Sequence, residues 1–224
     1  MRIVLRIGGS VIASPVNPAL INEYVSILKR LKEKGHQVTA VVGGGTLARE
    51  LIKVAKDLGL EEKAQDEIAI SASRIYAQLF FSKLGKTGCG IVPTTIESAT
   101  ECLDKGKIAV MGGLKPGMTT DTVAALMAEK IEADLLIKAT DQDGVYDKDP
   151  RKHSDAVKLD HLNLAELSKV FSEAKHKAGI HQIIDPEAVK ILKRSKAKMA
   201  VVDGFKPENV LLVAEGKRVG TLIE

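Results

Sequence analysis

Tryptophan is absent from the 224-residue chain, and 3 tyrosines with 4 phenylalanines are its only aromatics. A surface that stacks successive nucleobases needs more flat rings than that. Charge of one sign is missing too: 33 basic residues face 29 acidic ones, a formal net charge of +4 spread along the chain. That balance gives a weak overall field rather than a nucleic-acid-binding surface. The densest basic run, KRSKAK at 193–198, reads as the end of a helix, where cations suit the dipole. No nucleic acid partner is expected.

Long apolar runs are lacking as well. Nothing approaches the roughly 20 residues of a membrane helix, and the opening MRIVLRIGGS is too short in its apolar part for a signal peptide. No membrane partner is expected. Cysteine is scarce, with only Cys89 and Cys102. Their spacing fits neither a metal site nor a disulfide framework, which predicts two inert thiols in a reducing compartment and hence the cytoplasm.

What is present suits a globular α/β chain. Hydrophobic residues make up 45% and charged residues 28%, enough apolar material for one core. The length suits one domain whose lobes share a sheet. Short β-branched runs alternate with helical patterns: RIVLRI (2–7), QVTAVV (37–42), GIVP (90–93), IAVM (108–111), LLIKAT (135–140), KMAVV (198–202) and RVGTLI (218–223). Between the first two runs, Leu20, Ile21, Tyr24, Val25, Leu28 and Leu31 keep helical spacing, with Gly35 where a C-cap belongs. Ala48, Leu51, Ile52, Ala55 and Leu58 continue such a period up to Gly59, and a long helix follows over 61–83. Continuous apolar strands between amphipathic helices predict a mostly parallel central sheet in a three-layer α/β/α sandwich. An N-terminal lobe of about 1–132 and a C-terminal lobe of about 133–224 would then face each other across a cleft at the strands' carboxyl ends.

Four unusual loops fall at that end. Gly8, Gly9 and Ser10 follow the first strand, and Gly43, Gly44 and Gly45 the second. GGLKPGMTTD follows the strand at 108–111, and TDQDGVYDKDP the strand at 135–140. Glycine-rich turns that open helices can present backbone N–H groups to an anion, so their joint placement points to phosphate. Two other motifs are discounted. Gly43, Gly45 and Ala48 satisfy G-x-G-x-x-A, yet the acidic residues about 20 positions on, Glu61, Glu62 and Asp66, lie in a helix rather than at the end of the next strand. GKT at 85–87 lacks the first glycine of a phosphate-binding P-loop, because Phe80 occupies that position.

RIGGS, VVGGGTLAR (41–49), VMGGLKPGMTTDTVAA (110–125), KATDQDGVYDKDPRK (138–152), IIDPEAVKILKRS (183–195) and the closing GTLI resemble the amino-acid-kinase superfamily. Within it the match is to the archaeal type of uridylate kinases, over nearly the whole chain. The resemblance implies transfer of the γ-phosphoryl group of ATP to UMP, with Mg²⁺ accompanying ATP. It implies that Gly9, Ser10, Gly45 and Arg49 hold ATP phosphates, and that Thr140, Tyr146 and Asp149 hold the adenine and ribose side. By the same resemblance Gly44 faces the acceptor phosphate, Asp66 binds the nucleoside part of UMP, and Leu114, Lys115, Pro116, Gly117, Met118, Thr119 and Thr120 wrap it. Arg6, Lys138 and Asp143 are the implied catalytic residues; Asp143 would orient cations or help hold Mg²⁺ through water. Lys190 is a further candidate cation. The superfamily usually opens K-x-G-G, so Arg6 departs from the pattern; arginine keeps a permanent charge and can fork onto phosphate oxygens. A homohexamer is implied as the assembly. The rival readings are a kinase of the same superfamily acting on acetylglutamate, aspartate, carbamate or isopentenyl phosphate, a non-catalytic oxyanion-binding relative, and an oxidoreductase.

Overall fold

The computed structural model describes residues 1–164, 166, 167 and 183–224. Among them, β1 (Arg2–Ile7), β2 (Gln37–Val42), β3 (Ala109–Met111), β4 (Leu135–Thr140), β7 (His161–Leu162), β8 (Lys198–Asp203) and β9 (Thr221–Ile223) form one sheet. The strand order is β3-β2-β1-β4-β8-β9-β7, and every pairing is parallel except that of β8 with β9. β5 (Val145–Tyr146) and β6 (Lys158–Leu159) form a separate antiparallel pair. The N-terminal strands and the later ones thus occupy opposite halves of the sheet, joined where β1 runs beside β4.

Among the described residues the named helices are α1 (Gly9–Ile12), α2 (Pro18–Glu33), α3 (Gly45–Asp57), α4 (Glu62–Leu84), α5 (Ile96–Asp104), α6 (Thr120–Lys130), α7 (Pro186–Arg194) and α8 (Glu208–Ala214). The sheet is apolar on both faces because both are covered. Ile3, Leu5 and Ile7 pack with α2, with Tyr76 and Phe80 of α4, and with Val210 and Leu211 of α8. Val4 and Val41 point the other way, into a core completed by α5, α6 and α7. Residues of alternate parity on one strand therefore serve two cores, which is why these strands read as unbroken apolar runs.

Local chemistry sets the helix boundaries. Asn17 caps α2 by accepting the Leu20 N–H, and Pro18 occupies its first turn, where a missing N–H costs nothing. Gly35, at φ 83°, turns the chain out of the helix, a conformation that favours glycine. The KRSKAK run does end a helix, with Lys193 and Arg194 in the last turn of α7. The GKT segment is a 3₁₀ turn behind α4.

Four expectations are corrected. GIVP is a loop: Gly90 has φ 95°, Ile91 is largely exposed, and Pro93 has no N–H to give to a ladder. RVGTLI yields strand only from Thr221, because Gly220 at φ 73° bends the chain immediately before it. Leu58 closes α3 but is 71% exposed rather than packed. Cys89 and Cys102 are not free thiols: they form a disulfide with a Cα–Cα distance of 5.4 Å. Their 13-residue separation hid this, because it is the fold of the loop before α5 that brings them within bonding range. No helix among the described residues is long and apolar enough to cross a membrane.

Candidate active site

The carboxyl ends of β1 and β2 release two glycine turns that touch. A Cβ on Gly9 would stand 2.2 Å from the Gly45 nitrogen and 2.9 Å from the Gly43 carbonyl carbon, and one on Gly43 would stand 2.7 Å from the Gly9 nitrogen. Gly45, at φ +58°, is also pressed against Ala13. No side chain fits between these turns. The glycines are thus required first by the chain's own packing, and the approach of a ligand is not needed to explain them. The interlocked turns bring the start of α3, at Gly45, to the sheet edge next to Gly9 and Ser10.

β4 lies on the other side of β1, with Arg6 in register with Lys138. Both side chains leave the sheet on the face covered by α6, whose first turn carries Asp121. Arg6 Nε stands 2.7 Å from Asp121 Oδ1, a contact without hydrogen-bond alignment. Arg6 Nη2 donates to Thr120 Oγ1 at 3.2 Å, and Lys138 Nζ donates to the other Asp121 oxygen. Lys138 is almost wholly buried, with 4% of its side chain exposed. Burial pushes its ammonium down from the ordinary lysine value to about 8, with Asp121 opposing and Arg6 adding to the shift. For Asp121, burial acts to raise the carboxyl, but Arg6 and Lys138 outweigh it and hold the group below the usual carboxylate value. Asp185 locks this corner: it accepts from Thr119 Oγ1 at 2.6 Å and from Thr122 Oγ1, and it caps α7 through the Glu187 N–H.

Above this corner opens a cavity of about 380 Å³. Gly9, Ser10, Gly43, Gly44 and Gly45 form one wall; Arg6, Thr120, Asp121 and Lys138 form the floor. Thr140, Asp141 and Gln142 rise from the end of β4, while Arg49 and Arg151 stand at the rims with Ile183 nearby. Arg49 Nη2 donates to Ser14 Oγ at 3.0 Å and to Thr46 Oγ1 at 3.3 Å, and no carboxylate among the described residues pairs with it. Gln142 Oε1 is buried without a hydrogen-bond partner among the described residues. Four cations and two carboxylates line the cavity, an environment suited to a polyanion.

Of the residues singled out in the sequence, the structure gathers Arg6, Gly9, Ser10, Gly44, Gly45, Arg49, Thr120, Lys138 and Thr140 around this cavity. Leu114, Lys115, Pro116, Gly117, Met118 and Thr119 form a loop beside it. Asp66 anchors that loop by accepting the Gly117 N–H at 2.7 Å, and Arg74 of α4 donates to the Gly113 and Leu114 carbonyls at 3.0 Å each. Four further predicted residues, Asp143, Tyr146, Asp149 and Lys190, lie outside the cavity lining. Asp143 accepts from Tyr146 Oη at 2.7 Å and pairs with Lys158 at 3.2 Å; the tyrosine hydrogen bond is the main cause of its lowered pKa. Asp149 builds a turn by accepting the Arg151 N–H. Lys190 pairs with Glu187 on the exposed side of α7.

The sequence reading missed Asp121, Asp141, Arg74 and Arg151. Asp121 was hidden because an acidic residue in a helix's first turn is the ordinary companion of the dipole. The two cations interrupting apolar strands, Arg6 and Lys138, were the signal that a buried anion must stand nearby. No group of three or more His, Cys, Asp or Glu side chains among the described residues could hold a metal ion.

A larger cavity, about 620 Å³, opens at the amino edge of the sheet between Met1, Asp134, Lys198 and the turn at Gly216. Its floor of Leu135, Ala200 and Leu222 is apolar, and no glycine turn opens a helix toward it. Phosphate chemistry therefore fits the smaller cavity better.

The sequence profile of the amino acid kinase family matches residues 1–203. The chain is 46% identical over 226 residues to the uridylate kinase of Methanocaldococcus jannaschii, with both chains covered in full. The crystal structure of the uridylate kinase from Archaeoglobus fulgidus superposes with a TM-score of 0.90 at 40% identity, again over the whole of both chains. The UMP kinase of Bacillus anthracis, at 21% identity, shares the fold with a TM-score of 0.83 over 100% of this chain and 95% of its own.

Proposed function

The chain belongs to the amino acid kinase family, and we propose that it transfers the γ-phosphoryl group of ATP to UMP, giving UDP and ADP. Full-length likeness to uridylate kinases supports this reading. The observation that carries it is the single cavity that combines two interlocked glycine turns with four cations.

The acceptor needs little activation. The second ionisation of a phosphate monoester lies near pH 6, so at neutral pH a UMP oxygen already carries the charge with which it attacks the γ-phosphorus. That oxygen forms the new P–O bond as the bond to the β–γ bridging oxygen breaks, and ADP leaves with the electron pair. The obstacle is repulsion between two polyanions, so the protein's part is alignment and charge stabilisation. Arg6 and Lys138 are the cations assigned to the transferred group. Asp121 is a positioning residue: shared by both, it keeps two like charges side by side beneath the cavity. Arg49, held by the Ser14 and Thr46 hydroxyls, and the start of α3 at Gly45 serve the ATP phosphates.

The N-terminal half is assigned to the acceptor and the C-terminal half to ATP. Asp66 and the 114–120 loop flank the cavity on the UMP side, with Gly44 toward its phosphate; Thr140 and the segment bearing Tyr146 and Asp149 lie on the ATP side. Asp143, tied to Tyr146 and Lys158, would first have to leave these partners to act on the transferred group. Mg²⁺ enters as its complex with ATP. The two cavity carboxylates, Asp121 and Asp141, are both paired with cations, which fits an ion held chiefly by the nucleotide's phosphates. The supply of ATP and UMP favours the cytoplasm; with Cys89 and Cys102 bonded, the thiol argument for that compartment no longer applies. Val54 and Leu58 on α3 and Ile75 and Leu79 on α4, each at least 45% exposed, favour a homo-oligomer, with a hexamer as its form.

A coupled ADP-release assay offering UMP, CMP, AMP and acetylglutamate, with and without Mg²⁺, tests the reading. Mg²⁺-dependent ADP release with UMP, far above that with acetylglutamate, is expected. Turnover with acetylglutamate alone would reassign the acceptor.

A further inference from the structure

Arg6 and Lys138 are committed to Asp121 at the cavity floor, whereas the rim cations are loosely held. Arg49 is held by two neutral hydroxyls. Arg151, which also lines the cavity, is held by one carboxylate: its Nη2 donates to Asp141 Oδ2 at 2.7 Å. That pair is half in solvent, with side-chain exposures of 58% for Arg151 and 33% for Asp141, and an exposed ion pair of this kind contributes little.

The backbone under Arg151 is better fixed than its side chain. Asp149 Oδ1 accepts the Arg151 N–H at 3.0 Å, and the Asp149 carbonyl accepts from Lys152 and His153. This turn sets Arg151 at the cavity, with its guanidinium held by Asp141 alone among the described residues. Asp141 follows directly after β4, and Thr140 Oγ1 donates to its second oxygen at 3.2 Å. An anion entering beside Thr140 would therefore meet a carboxylate and an arginine already joined to each other.

We propose that Arg151 is a donor-phosphate ligand: when ATP enters, its guanidinium exchanges Asp141 for the β- and γ-phosphate oxygens in the cavity that Arg49 also lines. This rests on the kinase reading above. A triphosphate offers more charge and more acceptor oxygens than one carboxylate, and a planar guanidinium that makes a single hydrogen bond to Asp141 can fork onto phosphate, so the exchange favours the nucleotide. Asp141 then acts as a latch that holds Arg151 at the cavity before ATP arrives. Both residues follow β4, the strand end assigned to ATP, which puts the contact on the donor rather than the acceptor.

The test combines steady-state kinetics with equilibrium binding of MgATP. For Arg151→Ala, the KM for ATP and the dissociation constant of MgATP should rise about tenfold, with the KM for UMP within about twofold of wild type; Arg151→Lys should recover part of the loss. Asp141→Asn should tighten ATP binding in the parent chain, and lose most of that effect when Arg151 is already alanine. Unchanged MgATP binding in Arg151→Ala would overturn the proposal. So would equal losses for ATP and UMP, or an Asp141→Asn effect of the same size in both backgrounds. Absence of UMP-dependent turnover in the parent chain would refute the kinase reading alone, since the binding arm reads Arg151 independently of it.

Discussion

At the scale of single residues, the account turns on a buried triad of charge. Lys138 differs from a surface lysine because burial lowers its pKa to about 8. Its charged form, the one that can meet a phosphate, is then lost just above neutrality. The value of kcat/KM for ATP, which reports the free enzyme, should fall above about pH 8 in the parent chain. In Lys138→Arg that alkaline limb should vanish, whatever the absolute rate, because arginine does not deprotonate. Stability should move the opposite way. Between about 8 and the ordinary value of 10.5 the unfolded chain holds the proton that the folded chain has released, so this group alone makes stability rise with pH there. Urea titrations at the two ends of that window would measure it. Arg6 and Lys138 were reached through the family resemblance. Asp121 was not, since its role appears only once β1 and β4 are in register and α6 is laid across them.

Among the elements, the two glycine turns carry the most specific prediction. Gly9→Ala drives a methyl into the backbone of Gly45, which has no flexible end to move aside, so it should cost about 2–3 kcal/mol of stability by overpacking and distort the cavity wall. Gly59→Ala is the contrast: Gly59 has φ +73° but open space around it, so only the backbone penalty of about 1 kcal/mol applies. Urea unfolding of both variants beside the parent chain checks the ranking. A second prediction concerns the bond between Cys89 and Cys102. Closing a loop of that size restricts the unfolded chain by about 3 kcal/mol in the chain-entropy treatment, so reductant should lower the unfolding midpoint of the parent chain and leave that of Cys89→Ser unmoved. The glycine turns, the long helices and the inner strands were readable because punctuation and periodicity agree there. GIVP misled because its apolar residues sit in a loop that the disulfide ties down, a constraint set by distant parts of the chain.

At the scale of the whole molecule, one continuous sheet joins two halves, and the cavity lies where β1 and β4 meet. A parallel, doubly covered sheet could be read from alternating apolar runs and helices. The order β3-β2-β1-β4-β8-β9-β7 could not, because strand neighbours depend on crossovers that leave no local mark. Assembly belongs to this scale too. Ile75 and Leu79 are more than two-fifths exposed on one long helix, the apolar surface that the proposed homo-oligomer would cover. Replacing both with glutamate should reduce the particle mass seen by light scattering to that of one 24.0 kDa chain; a parent chain already of that mass would remove the homo-oligomer.

The most direct measurement for the central claim is a crystal structure of the chain with a non-hydrolysable ATP analogue, Mg²⁺ and UMP. The account predicts both phosphate tails in the cavity between the Gly9 and Gly45 turns, with the γ-phosphate against Arg6 and Lys138. Nucleotides lodged instead in the larger cavity by Met1 and Gly216, with the glycine turns empty, would contradict it.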